Sequence, residues 1–280
     1  MSYAFCKFAP VLIAVAALAA CGGGGDGESS SGNTSAGQSG SGGTAPGEKP
    51  AVTDSGSVTA PFVKAASARY IWKGVAVLRT GALADFTQAS SGAVTVINGM
   101  SLTGQSATLD INGDAGYAQG RWTKGVVTSG DTTALDGVSN AAYHYILVNN
   151  LESLPASGSY TCGAGRFTAP TFIGGTNVGA AAYAGTTSGE ATLSFSADGA
   201  AVGVTLTSSA GGQQGSLSGN ATIKSPPSST STGTYFGGGT GTQLTLGDGG
   251  GGKVLVVAPY RVVLANGALY QGIASFACAA

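Results

Sequence analysis

Few residues in this chain could do chemistry, and their spacing narrows the choice further. His144 is the only histidine among 280 residues, so any histidine-dependent triad must use it. It lies between Tyr143 and Tyr145 in an apolar run, on the strand face that carries Ile146 and Val148. A packed imidazole is expected there rather than a catalytic one. No G-x-S-x-G nucleophile elbow occurs anywhere. Asp110-Ile111-Asn112-Gly113-Asp114 sets oxygen ligands at alternate positions, like the start of a calcium loop. Ala115 and Arg121 stand where such a loop needs glycine and glutamate, so Asn112-Gly113 is read instead as a two-residue type I′ hairpin turn. Gly237-Gly238-Gly239-Thr240-Gly241-Thr242 is glycine-rich, but no Lys-Ser or Lys-Thr follows it and no helical pattern opens after it. It reads as a loop, not a phosphate cradle. The carboxylates Asp85, Asp131, Asp136, Glu152, Glu190, Asp198 and Asp248 are scattered. A pair able to cleave a glycoside would have to converge from distant loops. No catalytic, cofactor-binding or metal-ligating residue is therefore assigned.

Cysteine chemistry is more informative. A segment with one positive charge, Met1–Lys7, precedes the thirteen-residue apolar run Phe8–Ala20, which ends in Leu18-Ala19-Ala20-Cys21. The run is short for a mature membrane span and suits a secretory signal. The small residues before Cys21 let a peptidase bind them extended, and the thiol is the nucleophile that can take a thioether-linked diacylglycerol. This segment resembles the lipobox of bacterial lipoproteins. The resemblance implies removal of residues 1–20, lipidation at Cys21, and attachment to an envelope membrane by several acyl chains. Gly22 follows, where an aspartate would favour retention in the inner membrane, so the outer membrane is expected. Cys6 leaves with the signal. Cys162 and Cys278 then form an even pair in an oxidising compartment and are expected to form a disulfide. A zinc site would need more ligands than one histidine can complete. The position of Cys278, two residues from the last residue printed, predicts a strand that frays without its staple.

Composition sets the remaining bounds. Charged residues are 9% of the chain and the formal net charge is −1. No basic patch is available to neutralise phosphates, so nucleic acid is excluded as an expected partner. Glycine occurs 49 times without a three-residue period. Residues 22–60 hold almost no large apolar side chain and are expected to form a disordered tether. From Pro61 onward, short β-branched or alternating runs are separated by Gly, Asn and Asp. They include Tyr70–Leu78, Ala93–Ile97, Ala107–Ile111, Gly116–Thr123 and Ala142–Asn149. Further on come Ala191–Ser196, Ala201–Thr207, Gly215–Ile223, Gln243–Leu246, Lys253–Val257, Tyr260–Ala265 and Leu269–Cys278. Such runs predict an all-β domain over 61–280, an antiparallel barrel or sandwich, with room for one short helix near Ser67 or Leu83.

Two segments of 21 residues, Ala142–Cys162 and Ala258–Cys278, match at Asn150 with Asn266, Ser159 with Ser275, and the final cysteine. This is the pattern of two similar halves, 61–162 and 163–280, or of two apolar strands alike by composition. The acyl anchor, long tether and glycine-rich β-domain resemble surface lipoproteins with transferrin-binding-type β-barrels. That resemblance implies an envelope lipoprotein whose β-domain binds a protein or small molecule, or is structural, and needs no cofactor. An envelope hydrolase using loop carboxylates is the alternative. Most aromatics should be core, with a partly exposed subset available for binding.

Overall fold

Two-residue alternation along the chain becomes alternation between two buried layers. The computed structural model describes residues 53–137, 141–176, 183–225, 229–230, 235–237 and 243–280. The signal, Cys21 and most of the expected tether lie outside these residues. All described residues belong to one compact unit, Pro50–Ala280. Nineteen strands and no helix occur among the described residues.

In the first half, β1 (Gly56–Val58) runs parallel to β6 (Met100–Asp114). β2 (Ala68–Lys73) pairs with β3 (Leu78–Ala82) on one side and β9 (Tyr143–Asn149) on the other. β4 (Phe86–Gln88), β5 (Val94–Ile97), β6, β7 (Tyr117–Ser129) and β8 (Asp131–Asp136) form an antiparallel meander. β7 then pairs with β9 through its first six residues. In the second half, β10 (Gly158–Cys162), β11 (Arg166–Phe167) and β12 (Thr171–Gly175) all pair with the last strand, β19 (Ala268–Ala279). β13 (Gly185–Ser196), β14 (Gly199–Ala210) and β15 (Gln213–Ile223) form a second meander, joined to β10. β16 (Ser229–Thr230), β17 (Leu244–Asp248) and β18 (Val254–Val263) lead antiparallel into β19. This half curls back on itself: Ala265 N, just after β18, donates to Gln214 O of β15 at 2.8 Å.

Three buried layers result. Trp72, Trp122, Tyr145 and Leu147 fill the first half. Val256, Tyr260, Tyr270 and Phe276 belong to the core of the second. Between the halves, Ile71, Ile146 and Val148 meet Leu255, Val257 and Ile273. Odd and even positions of one strand thus enter different cores. Tyr145 and Leu147 of β9 point one way, and Ile146 and Val148 the other. Burial on both faces explains why β9, β18 and β19 read as near-continuous apolar runs.

The structure departs from the sequence expectations at several points: the expected tether ends before β1 (Gly56–Val58), which joins the sheet, and Lys253–Val257 and Tyr260–Ala265 merge into the single strand β18. Tyr70–Leu78 is not one strand: it turns at Gly74, whose N donates to Val77 O at 2.9 Å. A Cβ at Gly74 would collide with the Tyr143 ring, so the side chain is excluded where the strand ends. The helix allowed near Ser67 or Leu83 is replaced by β2 and β3, because the sheet offers Ala68–Lys73 an apolar neighbour on each face. Asn112-Gly113 is not the hairpin turn. It lies inside β6, and the turn is Ala115-Gly116, closed by the Asp114 carboxylate accepting from Gly116 N at 2.8 Å. The Asn-Gly dipeptide that does make a two-residue turn is Asn98-Gly99, with φ of 47° and 76°, between paired Ile97 and Met100.

Candidate functional site

The outer face of β13–β15 is the most distinctive surface of the molecule. Its inner positions, Leu193, Phe195, Val202, Val204 and Leu206, are core. Alternation therefore sends small polar residues outward, and they meet in rows across the three strands. Thr186 pairs with Ser209, Thr205 with Ser218, and Thr207 with Ser216, at 3.2, 3.3 and 3.0 Å between hydroxyls. The row Thr192–Gly203–Asn220 differs. Gly203 has no side chain, and Thr192 and Asn220 lean over it: a Cβ there would lie 2.5 Å from Thr192 Oγ1 and 2.7 Å from Asn220 Oδ1. Ser159, Thr192, Ser194, Asn220 and Thr222 line a depression of about 530 Å³ along this row. None of the residues lining it is charged.

Tyr160 borders one end, but its side chain turns to the inner face of the sheet. β10 holds it opposite Leu193, and its ring meets Phe195 edge-on at 5.0 Å between centroids. The same tyrosine borders a second depression of about 390 Å³, lined also by Asn150, Glu152, Asp248 and Lys253. Two of the scattered carboxylates, Glu152 and Asp248, are thus brought to one depression. Asp248 already accepts from Gly250 N at 2.8 Å. Glu190 stands exposed on the β13 face, and Asp198 in the β13–β14 turn. Asp85, Asp131 and Asp136 belong to the first half and line neither depression.

A second polar cluster is sealed between the halves. His144 is fully buried, with Nδ1 2.7 Å from Thr168 Oγ1 and Nε2 2.8 Å from Thr171 Oγ1. Burial, then the charges of Arg121 and Lys73, hold its pKa well below the ordinary histidine value. Lys73 Nζ donates to Tyr260 O at 2.6 Å and lies 3.8 Å from the Tyr235 ring centroid, with Arg261 4.2 Å from that same ring. Burial, with Arg261 beside it, lowers this amine's pKa well below the usual lysine range. Ser275 Oγ donates to Gln119 Oε1 at 2.7 Å, and Gln271 Nε2 to Gly74 O at 2.7 Å. These groups consume one another's hydrogen bonds across the seam and border neither depression.

Asp110, first of the calcium-like oxygens, is a structural bracket. Its carboxylate receives Arg121 Nε at 2.8 Å and Ala169 N at 2.7 Å, from a backbone with φ of 56°. Among the described residues no group of three or more His, Cys, Asp or Glu could hold a metal ion. Of Gly237–Thr242, only Gly237 is described, and it turns with φ of 83°. Cys162 and Cys278 face each other in β10 and β19 and form a disulfide. Both lie in the core of the second half. Trp72, Trp122 and Tyr145 are fully buried, and Tyr160 is half-buried against the core of the second half. Thr192, Gly203 and Asn220 were not singled out from the sequence. Their signal was the polar alternation from Thr186 to Thr222, visible only once cross-strand register aligns the rows. In comparisons with known proteins, no family model, no curated protein and no solved structure matches the chain.

Proposed function

We propose that this chain is an envelope lipoprotein, anchored through acyl chains on Cys21, whose β-domain binds an extracytoplasmic ligand without transforming it. The Leu18–Cys21 segment supports the anchor and an outer-membrane location. The observation that carries the binding reading is the depression of about 530 Å³ on the outer face of β13–β15, where hydroxyl and amide groups of Thr192, Ser194, Asn220 and Thr222 line a rigid sheet around Gly203. The apolar-poor segment ahead of the sheet, residues 22 to 52, would let the domain reach roughly 30 Å from the membrane as a flexible coil. One observation favours the rival reading of an envelope hydrolase: Glu152 and Asp248 border the same depression.

Fractionation of the producing cell tests the anchor. Wild-type protein is expected in the membrane fraction, resistant to high salt, and Cys21→Ser in the soluble fraction. Cys21→Ser protein that still sediments with membranes under high salt would overturn the reading.

A further inference from the structure

A cleft of about 420 Å³ opens at the rim of the seam between the halves, lined by Ser57, Thr59, Asn112, Asp114, Tyr117 and Arg166. We infer that it binds a free α-amino acid, holding the ligand's carboxylate with Arg166 and its ammonium group with Asp114. The inference goes beyond the binding reading above, since it uses neither the β13–β15 depression nor the anchor.

Cross-strand register decides which side chains share the cleft. Asp114 pairs with Tyr117 and Asn112 with Gln119, so these four residues of β6 and β7 project from one face. β1 runs parallel to β6 with Ser57 beside Asn112, and alternation adds Ser57 and Thr59 to that face. Gly56 lets β1 lie so close: its φ is 99°, and a Cβ there would collide with Ile111 O. This face is turned to the second half. Tyr117 packs in the layer between the halves, and Gln119 Oε1 accepts from Ser275 Oγ of β19 at 2.7 Å. Arg166 of β11 is the register partner of Ser275, so it projects on the same side as that serine, toward the first half. The anion thus comes from one half and the cation from the other.

What these groups leave unpaired sets the ligand. Arg166 and Asp114 line one cleft without forming an ion pair, whereas the nearby Asp110 and Arg121 are committed to each other at 2.8 Å. Asp114 spends one oxygen on Gly116 N at 2.8 Å and keeps the other. Among the described residues, the Arg166 guanidinium and the hydroxyls of Ser57 and Tyr117 have no protein partner. Thr59 Oγ1 donates to Gly113 O at 3.3 Å and Asn112 Nδ2 to Asp110 O at 3.2 Å, so these two serve as walls. Burial, then Asp114, raise the pKa of the Tyr117 phenol and Arg166 opposes them, so both charges are felt at that hydroxyl. An anion alone would meet Asp114, and a cation alone would meet Arg166. A ligand that carries both charges on neighbouring groups satisfies both. A guanidinium forks onto a carboxylate, and a carboxylate accepts from an ammonium group. The free hydroxyls can donate to the one or accept from the other. The volume is that of a small-molecule site.

Saturation-transfer NMR of the full chain in detergent with each standard L-α-amino acid and with D-alanine tests this, and isothermal titration measures whichever binds. At least one should bind with a Kd under about 5 mM. Its N-acetyl derivative and its amide each lack one of the two charges and should bind about tenfold more weakly or worse. Arg166→Gln and Asp114→Asn should each weaken binding about tenfold or more. Arg166 is exposed, and asparagine keeps an oxygen for Gly116 N, so neither change disturbs the core. Asn220→Ala, on the β13–β15 face, should leave binding unchanged. Failure of every amino acid to bind at concentrations up to about 5 mM would overturn the inference. So would full affinity in either charge variant, or capped derivatives that bind as well as the free amino acid. Binding lost in Asn220→Ala would move the ligand to the β13–β15 depression, overturning this site while supporting that one. The other failures leave that depression and the Cys21 fractionation result standing.

Discussion

His144 shows how a single residue type misleads until its neighbours are known. The lone histidine of a chain invites a catalytic role, yet both of its ring nitrogens are spent on threonine hydroxyls in a sealed layer. The sequence already placed it on the face of Ile146 and Val148, and the structure puts that face against the second half. What the sequence could not supply was the partners, Thr168 and Thr171, because they arrive from a short segment that pairs with β19. The lowered pKa carries a stability consequence. The folded value lies below the unfolded 6.5, so as pH falls the unfolded chain takes up the proton first. His144 therefore costs nothing above that pH, and the folded state loses stability as pH drops below it. Urea midpoints should fall between about pH 6.5 and 5 in the wild type, and less steeply in His144→Gln. An identical fall in the variant would place the titration elsewhere.

At the scale of elements, most strands were legible because short β-branched or alternating runs, as from Ala107 and Ala191, or unbroken apolar ones, as from Ala142 and Leu269, are separated by turn residues. Turns were less so. Three Asn-Gly dipeptides carry the same local signal; Asn98-Gly99 and Asn266-Gly267 lie in turns, and Asn112-Gly113 does not. The Asp110 bracket shifts the β6 register and carries Asn112-Gly113 into the strand before the chain reverses. The halves are alike in one respect: each contains a three-stranded meander, β6–β8 and β13–β15. They differ in pairing, since β9 joins β7 directly whereas β18 pairs with β17 and β19. Each also lays a tyrosine across a cross-strand glycine, Tyr145 over Gly120 and Tyr260 over Gly272, where a Cβ would meet the ring.

The disulfide belongs to this scale as well. A staple closing a loop with a sequence separation of 116 is worth up to about 4.7 kcal/mol in the chain-entropy account. The expectation that the last strand frays without it changes with the structure. β19 pairs with β18 over ten positions, whereas β10 is five residues long. Cys278→Ala should therefore lower stability by a few kcal/mol and raise amide exchange in Gly158–Cys162, with β19 still protected. Exchange rising first across Leu269–Phe276 would contradict this.

For the whole molecule, the all-β class and the antiparallel pairing were readable from spacing and composition alone. The three-layer arrangement was not. The apolar runs of β9, β18 and β19 do not say what covers each face until the halves meet, and three polar members of the seam, Lys73, Gln119 and Gln271, look like surface positions in sequence. The groove escaped for a similar reason: its row, Thr192–Gly203–Asn220, joins three strands that only register brings together. The proposed anchor stands at the opposite extreme, argued from Leu18–Cys21 alone and testable without reference to the fold. The most direct test is the intact mass of protein extracted from the membranes of the cell that makes it. The account predicts a chain that begins at Cys21, with a diacylglycerol thioether on that residue and residues 1–20 gone. A chain beginning at any other residue, or carrying an unmodified Cys21 thiol, would contradict it.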